Sequence, residues 1–345
     1  MFLDIDLPSP ISLKSKFPLH CKECAFLENS RATARKIASG KSSKLALVVG
    51  PCSIHNIESA LIYAEKLKKL SDYVEETLFI VMRVYVEKPR TTVGWKGFLY
   101  DPYLNGTNDL AEGLFQTRAL FYELAKLQLP AATEFVNPLT APFFQDLVTW
   151  GFIGARTTTS QIHRELASSL QFPVGFKNTL EGDLTSPINS IISAKTPHTF
   201  LGSNNEGKLS IASSTGNPYC HLVLRGSEFE PNYDKENLAY AKKLQKASGI
   251  HHPIMIDCSH GNSGKNPFHQ KEVFKKAIQQ YTKDATPLLG LMFESFLESG
   301  NQSLELGSPL SPTLSITDPC LGWNETEALI LHCHETLLQE QLSLT

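Results

Sequence analysis

The chain has 345 residues, 41% of them hydrophobic, with 32 Lys+Arg set against 35 Asp+Glu for a net charge of -3. That balance describes a folded protein with a sizeable core and leaves no broad basic surface for nucleic acid or an anionic membrane. No stretch approaches the roughly eighteen apolar residues of a spanning helix, and Asp4 and Asp6 stand where a targeting peptide carries positive charge. Seven cysteines, an odd number in a long chain, fit a reduced compartment better than a disulfide framework, and the expected location is cytoplasmic.

After a leader rich in Pro and Ser, from Pro8 to Pro18, eight short apolar runs recur at 45–49, 79–82, 131–133, 152–155, 174–176, 222–224, 254–256 and 289–293. Their length and their polar boundaries predict strands. Segments with apolar residues at helical spacing stand between them, at 59–70, 113–127, 143–150, 237–247 and 270–281, and a last one covers 325–342. Apolar strands alternating with helices imply a parallel sheet buried on both faces, and eight such units close into a (β/α)8 TIM barrel. Between the fifth and sixth runs, 199–212 reads as two extended stretches around an Asn-rich turn, which predicts an inserted β-hairpin. The expected fold class is therefore α/β, with an N-terminal extension over 1–40 and the barrel, hairpin included, over 41–345.

In such a barrel the active site forms where strands end and the following loops begin. Every run end supplies a reactive group: Cys52, then Arg83 with Lys88 and Arg90, then Glu134, Arg156, Lys177, Arg225, His260 and Glu294, with Asp318 in the loop beyond. Singly, each has an ordinary explanation as a small buried thiol or a surface ion pair. Jointly, they put a reaction centre on one face. The six cations Arg83, Lys88, Arg90, Arg156, Lys177 and Arg225 exceed what one carboxylate needs and suit two phosphorylated anions. Cys52, His260, Glu294 and Asp318 offer S, N, O and O donors to one divalent transition metal ion, favouring Mn, Fe, Co, Cu or Zn over Mg or Ca. Such an ion would polarise a carbonyl as a Lewis acid.

Several motifs then share one resemblance: Gly50-Pro51-Cys52-Ser53-Ile54-His55, Met82-Arg83-Val84-Tyr85, Glu87-Lys88-Pro89-Arg90-Thr91-Thr92, Gly154-Ala155-Arg156-Thr157-Thr158, Pro173-Val174-Gly175-Phe176-Lys177-Asn178, Leu224-Arg225-Gly226, Asp257-Cys258-Ser259-His260 and Gly300-Asn301-Gln302-Ser303. From about Lys14 to about Trp323 the chain resembles the class I, metal-dependent 3-deoxy-D-arabino-heptulosonate 7-phosphate (DAHP) synthases of the short bacterial and fungal branch. The resemblance implies condensation of phosphoenolpyruvate with erythrose 4-phosphate and water, the first step of the shikimate pathway. It implies that Arg156, Lys177 and the Ala155 backbone hold the phosphoenolpyruvate phosphate, and that Arg83, Lys88 and Arg225 face its carboxylate. Arg90 and Thr91 would hold the other phosphate, with Lys88, Glu134, Cys52 and His260 nearest the chemistry and Asp318 near both substrate and metal. It further implies that the leader and hairpin serve subunit contacts in a homo-oligomer, dimer or tetramer, and an aromatic amino acid feedback site.

Two rival readings are kept beside this one. The sister synthase that takes arabinose 5-phosphate differs from Lys88-Pro89-Arg90-Thr91-Thr92 and lacks the leader and hairpin. A catalytically silent sensor of aromatic amino acids would have no need of Cys52, His260, Glu294 and Asp318. Three weaker signals are set aside. Gly202 to Lys208 nearly spells a P-loop, but Leu209 stands where Ser or Thr must meet Mg. Cys21 and Cys24 are half a zinc spacing that only His332-Cys333-His334 could complete. His163 offers a second imidazole to the site or reads as a loop or interface residue, His55 shares that ambiguity, and both are left out of the ligand set.

Overall fold

The computed structural model describes residues 6–283, 286–305 and 308–343. The leader is helical, with α1 at Pro10–Lys16 and α2 at Cys21–Ala38. The alternation then runs β1 (Leu45–Gly50), α3 (Ile57–Tyr73), β2 (Leu78–Arg83), α4 (Leu110–Leu127), β3 (Ala131–Glu134), β4 (Trp150–Ile153), α5 (Gln161–Ser169), β5 (Val174–Lys177) and α6 (Thr185–Ala194). A hairpin of β6 (Thr199–Ser203) and β7 (Leu209–Ser213) follows, then β8 (His221–Leu224), α7 (Lys235–Ala247), β9 (Ile254–Asp257) and the single turn α8 (His260–Ser263). The chain closes with α9 (Pro267–Lys283), β10 (Leu288–Glu294) and α10 (Trp323–Ser343). β1, β2, β3, β4, β5, β8, β9 and β10 form a closed barrel of parallel strands, with β1 pairing both β2 and β10. All eight expected strands are present, and the hairpin lies between the fifth and sixth of them. No described helix is long and apolar enough to cross a membrane.

Strand periodicity sorts the apolar residues into two layers. In β1, Leu45, Leu47 and Val49 pack outward under the helices, while Ala46 and Val48 point into the barrel beside Val81, Ala132, Trp150, Phe152, Val223, Met255 and Met292. Ala34, Ile37 and Ala38 of α2 join that inner layer, so the leader helix lies against the interior of the barrel. Arg31, one turn earlier, anchors α2 by donating to the carbonyls of Gln145, Asp146 and Val148.

Those bonds explain where the structure departs from the helix expected over 143–150. Only two 3₁₀ turns form, at Ala141–Phe143 and Gln145–Leu147, and β4 begins at Trp150, two residues before the expected strand. The apolar spacing of Phe143, Phe144, Leu147 and Val148 is real, since all four are buried. Several carbonyls of this stretch, however, are drawn to side chains: Arg118 takes Phe143 O at 2.7 Å, and Arg31 takes those of Gln145, Asp146 and Val148. An α-helix would need some of those carbonyls for amides four residues on.

The hairpin pairs Leu201 with Ile211 in antiparallel register. Its tip is closed by Asn204, whose Oδ1 accepts from Glu206 N and Lys208 N. The near-P-loop thus lies in a hairpin, with no helix start for a phosphate. Asn205 joins the tip to α1, its carbonyl accepting from Ile11 N at 2.8 Å and its side chain from Lys14 Nζ at 3.0 Å.

Candidate active site

Strand geometry delivers the charged groups to one mouth, because each strand ends at the same side of a parallel barrel. Arg83, Glu134, Lys177, Asp257 and Glu294 are the last residues of β2, β3, β5, β9 and β10. Cys52, Arg156, Arg225 and His260 follow β1, β4, β8 and β9 within a few residues. The cavity they surround, of about 540 Å³, is lined among others by Arg83, Lys88, Arg90, Glu134, Ala155, Arg156, Lys177, Arg225, His260 and Asp318. All six expected cations therefore meet at one cavity.

The cations are held in different ways. Arg83 is fully buried: its Nη2 pairs with Glu294 Oε1 at 2.7 Å, its Nε donates to Pro51 O, and its guanidinium lies 3.7 Å from the Tyr85 ring centre. Burial works against its charge, but Tyr85 and Glu294 outweigh it and hold the group firmly protonated. Lys88 Nζ lies 3.2 Å from both Cys52 Sγ and Cys52 O. Arg225 is buried with its amide on Asn178 Oδ1, and burial lowers its affinity for the proton. At the exposed rim Arg90 donates Nε to Trp95 O, and Arg156 donates Nε to Thr91 Oγ1 at 2.7 Å, which ties the loop after β2 to the loop after β4. Thr91 thus meets the site through Arg156.

Glu134 is buried in the wall with its carboxylate against Gly154. A Cβ on Gly154 would stand 2.1 Å from Glu134 Oε1. Behind it, Glu87 is fully buried, with Oε2 accepting from Thr140 Oγ1 and Val136 N, and burial pushes its carboxyl up to about 8.

The four expected metal donors divide three and one. Cys52, Glu294 and Asp318 place ligand atoms within 4.8 Å of one another, and Cys52 and Glu294 are buried. His260 falls outside that mutual distance, with Nε2 3.8 Å from Glu294 Oε1. Two carboxylates this close repel one another and disfavour the neighbouring thiolate unless positive charge stands among them. The chain supplies Arg83 against Glu294, Lys88 against Cys52 and Lys265 at 3.4 Å from Asp318. Burial and Glu294 push the Cys52 thiol up, with Lys88 opposing them. One sulfur, carboxylate oxygens and an imidazole at the edge fit a borderline transition ion. The backbone aims that imidazole, since His260 has φ 53°, in the left-handed region that costs most side chains energy.

Asp257 was passed over in the sequence although it ends an apolar run, the same signal that marks Arg83 and Glu134. The carboxylate meets Lys177 Nζ at 2.7 Å and His260 Nδ1 at 2.9 Å. Burial opposes its charge, yet His260 and Lys177 outweigh it and hold the carboxyl well below the usual range. Ser259 and Gln270 were also missed. Both accept from the Glu294 amide, at 3.1 and 2.8 Å, and so brace that residue.

Residues 16–330 match the profile of the DAHP synthetase I family. The chain belongs to that family. It is 42% identical over 332 residues to the Tyr-sensitive phospho-2-dehydro-3-deoxyheptonate aldolase of Escherichia coli (strain K12), covering 96% of this chain and 93% of that protein. It is 43% identical over 325 residues to the Phe-sensitive enzyme of the same strain, covering 94% and 93%. Among solved structures, the phospho-2-dehydro-3-deoxyheptonate aldolase of Francisella tularensis SCHU S4 superposes with a TM-score of 0.95 at 38% identity, covering 98% of each chain.

Within this DAHP synthetase barrel the weaker signals resolve as structure. His163 is held on α5 between Ser160 Oγ and Val136 O, and His55 packs edge-on against Phe296 in the core. Cys21 and Cys24 are exposed on the first turn of α2, while Cys333 is buried in α10. No third ligand gathers with them among the described residues.

Proposed function

We infer that the chain is a DAHP synthase, joining phosphoenolpyruvate to erythrose 4-phosphate with water and releasing phosphate. The observation that carries this reading is the convergence of six cations on one cavity in a chain of this family. Arg156, Lys177 and the Ala155 amide suit the phosphoenolpyruvate phosphate, and Arg83, Lys88 and Arg225 suit its carboxylate. Arg90, aimed by its bond to Trp95 O, and Thr91 suit the second phosphate at the rim.

Cys52, His260, Glu294 and Asp318 would hold a divalent transition ion. Once bound, it supplies Lewis-acid polarisation of the aldehyde. C3 of phosphoenolpyruvate attacks the aldehyde carbon, and positive charge develops at C2. Water adds at C2, where Glu134 in the wall can orient it or take its proton. The hemiketal phosphate then loses phosphate by C–O cleavage. As a metal ligand Cys52 would be a thiolate held by the ion, so it has no covalent part in this scheme. The seven free cysteines suit a reduced, cytoplasmic setting.

The assay follows phosphoenolpyruvate absorbance with erythrose 4-phosphate or arabinose 5-phosphate, before and after chelation and re-addition of manganese. Consumption is expected with erythrose 4-phosphate alone, lost on chelation and restored by the ion. Cys52→Ala is expected to lose bound metal and activity with the barrel folded; unchanged metal stoichiometry would remove Cys52 from the ligand set. Relatives are named for sensitivity to Tyr and to Phe. The same assay in saturating Phe, Tyr and Trp tests feedback on this chain, and unchanged rates would remove that part of the reading.

A further inference from the structure

Asp257 touches both halves of the site and belongs to neither. Its Oδ2 stands 2.7 Å from Lys177 Nζ, on the anion side, and 2.9 Å from His260 Nδ1, on the metal side. Its Oδ1 accepts from Ser259 N at 3.0 Å, and Asn262 Nδ2 donates to its carbonyl, so both the carboxylate and the backbone are fixed. The residue is fully buried at the end of β9. An imidazole whose Nδ1 faces a carboxylate carries its proton there and leaves the Nε2 lone pair outward, and here Nε2 faces Glu294 at 3.8 Å. We propose that Asp257 is the positioning residue that prepares His260 for the metal ion while holding Lys177 for the phosphate. The inference rests on the metal reading above.

The test titrates the metal-free full chain with Mn2+ by calorimetry, without substrate, and follows unfolding by heat as a control. Asp257→Asn is expected to weaken Mn2+ binding about 10–100-fold, the usual effect of removing such a partner. The visible bands of the Co2+-loaded protein are expected to shift in Asp257→Asn and to stay in place in Lys177→Met. Wild-type binding with no loss in a folded Asp257→Asn overturns this inference alone. A wild-type chain that takes no Mn2+ overturns the metal reading as well. Should Asp257→Asn fail to fold, Lys177→Met reports on the same carboxylate. Relieved of the ammonium, Asp257 holds the imidazole at least as firmly, so Mn2+ binds no more weakly than to wild type, and a tenfold loss sinks the proposal.

Discussion

Gly154 matters because of what stands opposite it. An added methyl would meet Glu134 Oε1 at 2.1 Å, and the carboxylate, being the flexible end of its side chain, must swing away. Gly154→Ala is therefore expected to fold with little loss of stability and to lower kcat by roughly 10–100-fold, since a displacement of about 1 Å can cost that much. Unchanged kcat would take Glu134 out of the chemistry. Glu87 behaves differently because burial dominates its electrostatics. Its carboxyl is raised to about 8 by burial, well above its value in an unfolded chain. The folded protein then binds the extra proton, so this contribution is complete at acid pH and is lost as pH rises through about 8. Melting temperature is expected to fall across that window in the wild type and to fall less in Glu87→Gln, which has no proton to lose. Parallel curves for the two proteins would mean that Glu87 does not titrate there.

Among the elements, α2 shows how one side chain can replace a stretch of regular structure. Arg31 serves the carbonyls of Gln145, Asp146 and Val148 and lies over the Phe172 ring, 5.3 Å from its centre. Removing it strands several acceptors at once, each worth about 1–3 kcal/mol when buried. Arg31→Ala is expected to cost about 3 kcal/mol by urea unfolding with KM for both substrates unchanged, and a loss under about 1 kcal/mol would show that water replaces the guanidinium. The same contact explains why 143–150 misled. Its apolar spacing reports burial, which helices and buried turns share, while the partner that claims its carbonyls lies more than a hundred residues away. α5 and α6 went unread for a related reason: His163 and Ser168 in α5 and Ser190 in α6, polar in the sequence, are buried with polar partners and break the apolar stripe.

For the molecule as a whole, the strands were the most legible part. A strand in a parallel barrel is buried on both sides, so it must be a short apolar run, and the residues closing eight such runs must gather at one mouth. From that pattern the sequence determined the barrel and the run ends that bring Cys52, Lys88, Glu134, Arg156, Lys177, Arg225 and Glu294 toward one mouth, and the Asn-rich turn marked the inserted hairpin. It could not tell which of these touch. That Arg83 pairs with Glu294, that Thr91 reaches the site through Arg156, that His260 falls outside the mutual reach of the other three expected donors, and that Asp257 joins Lys177 to His260 were decided only in three dimensions. The physical reason is that burial and periodicity are properties of one segment and leave a local trace. A hydrogen bond or ion pair between the ends of two strands depends on the closure of the barrel, which no single segment records.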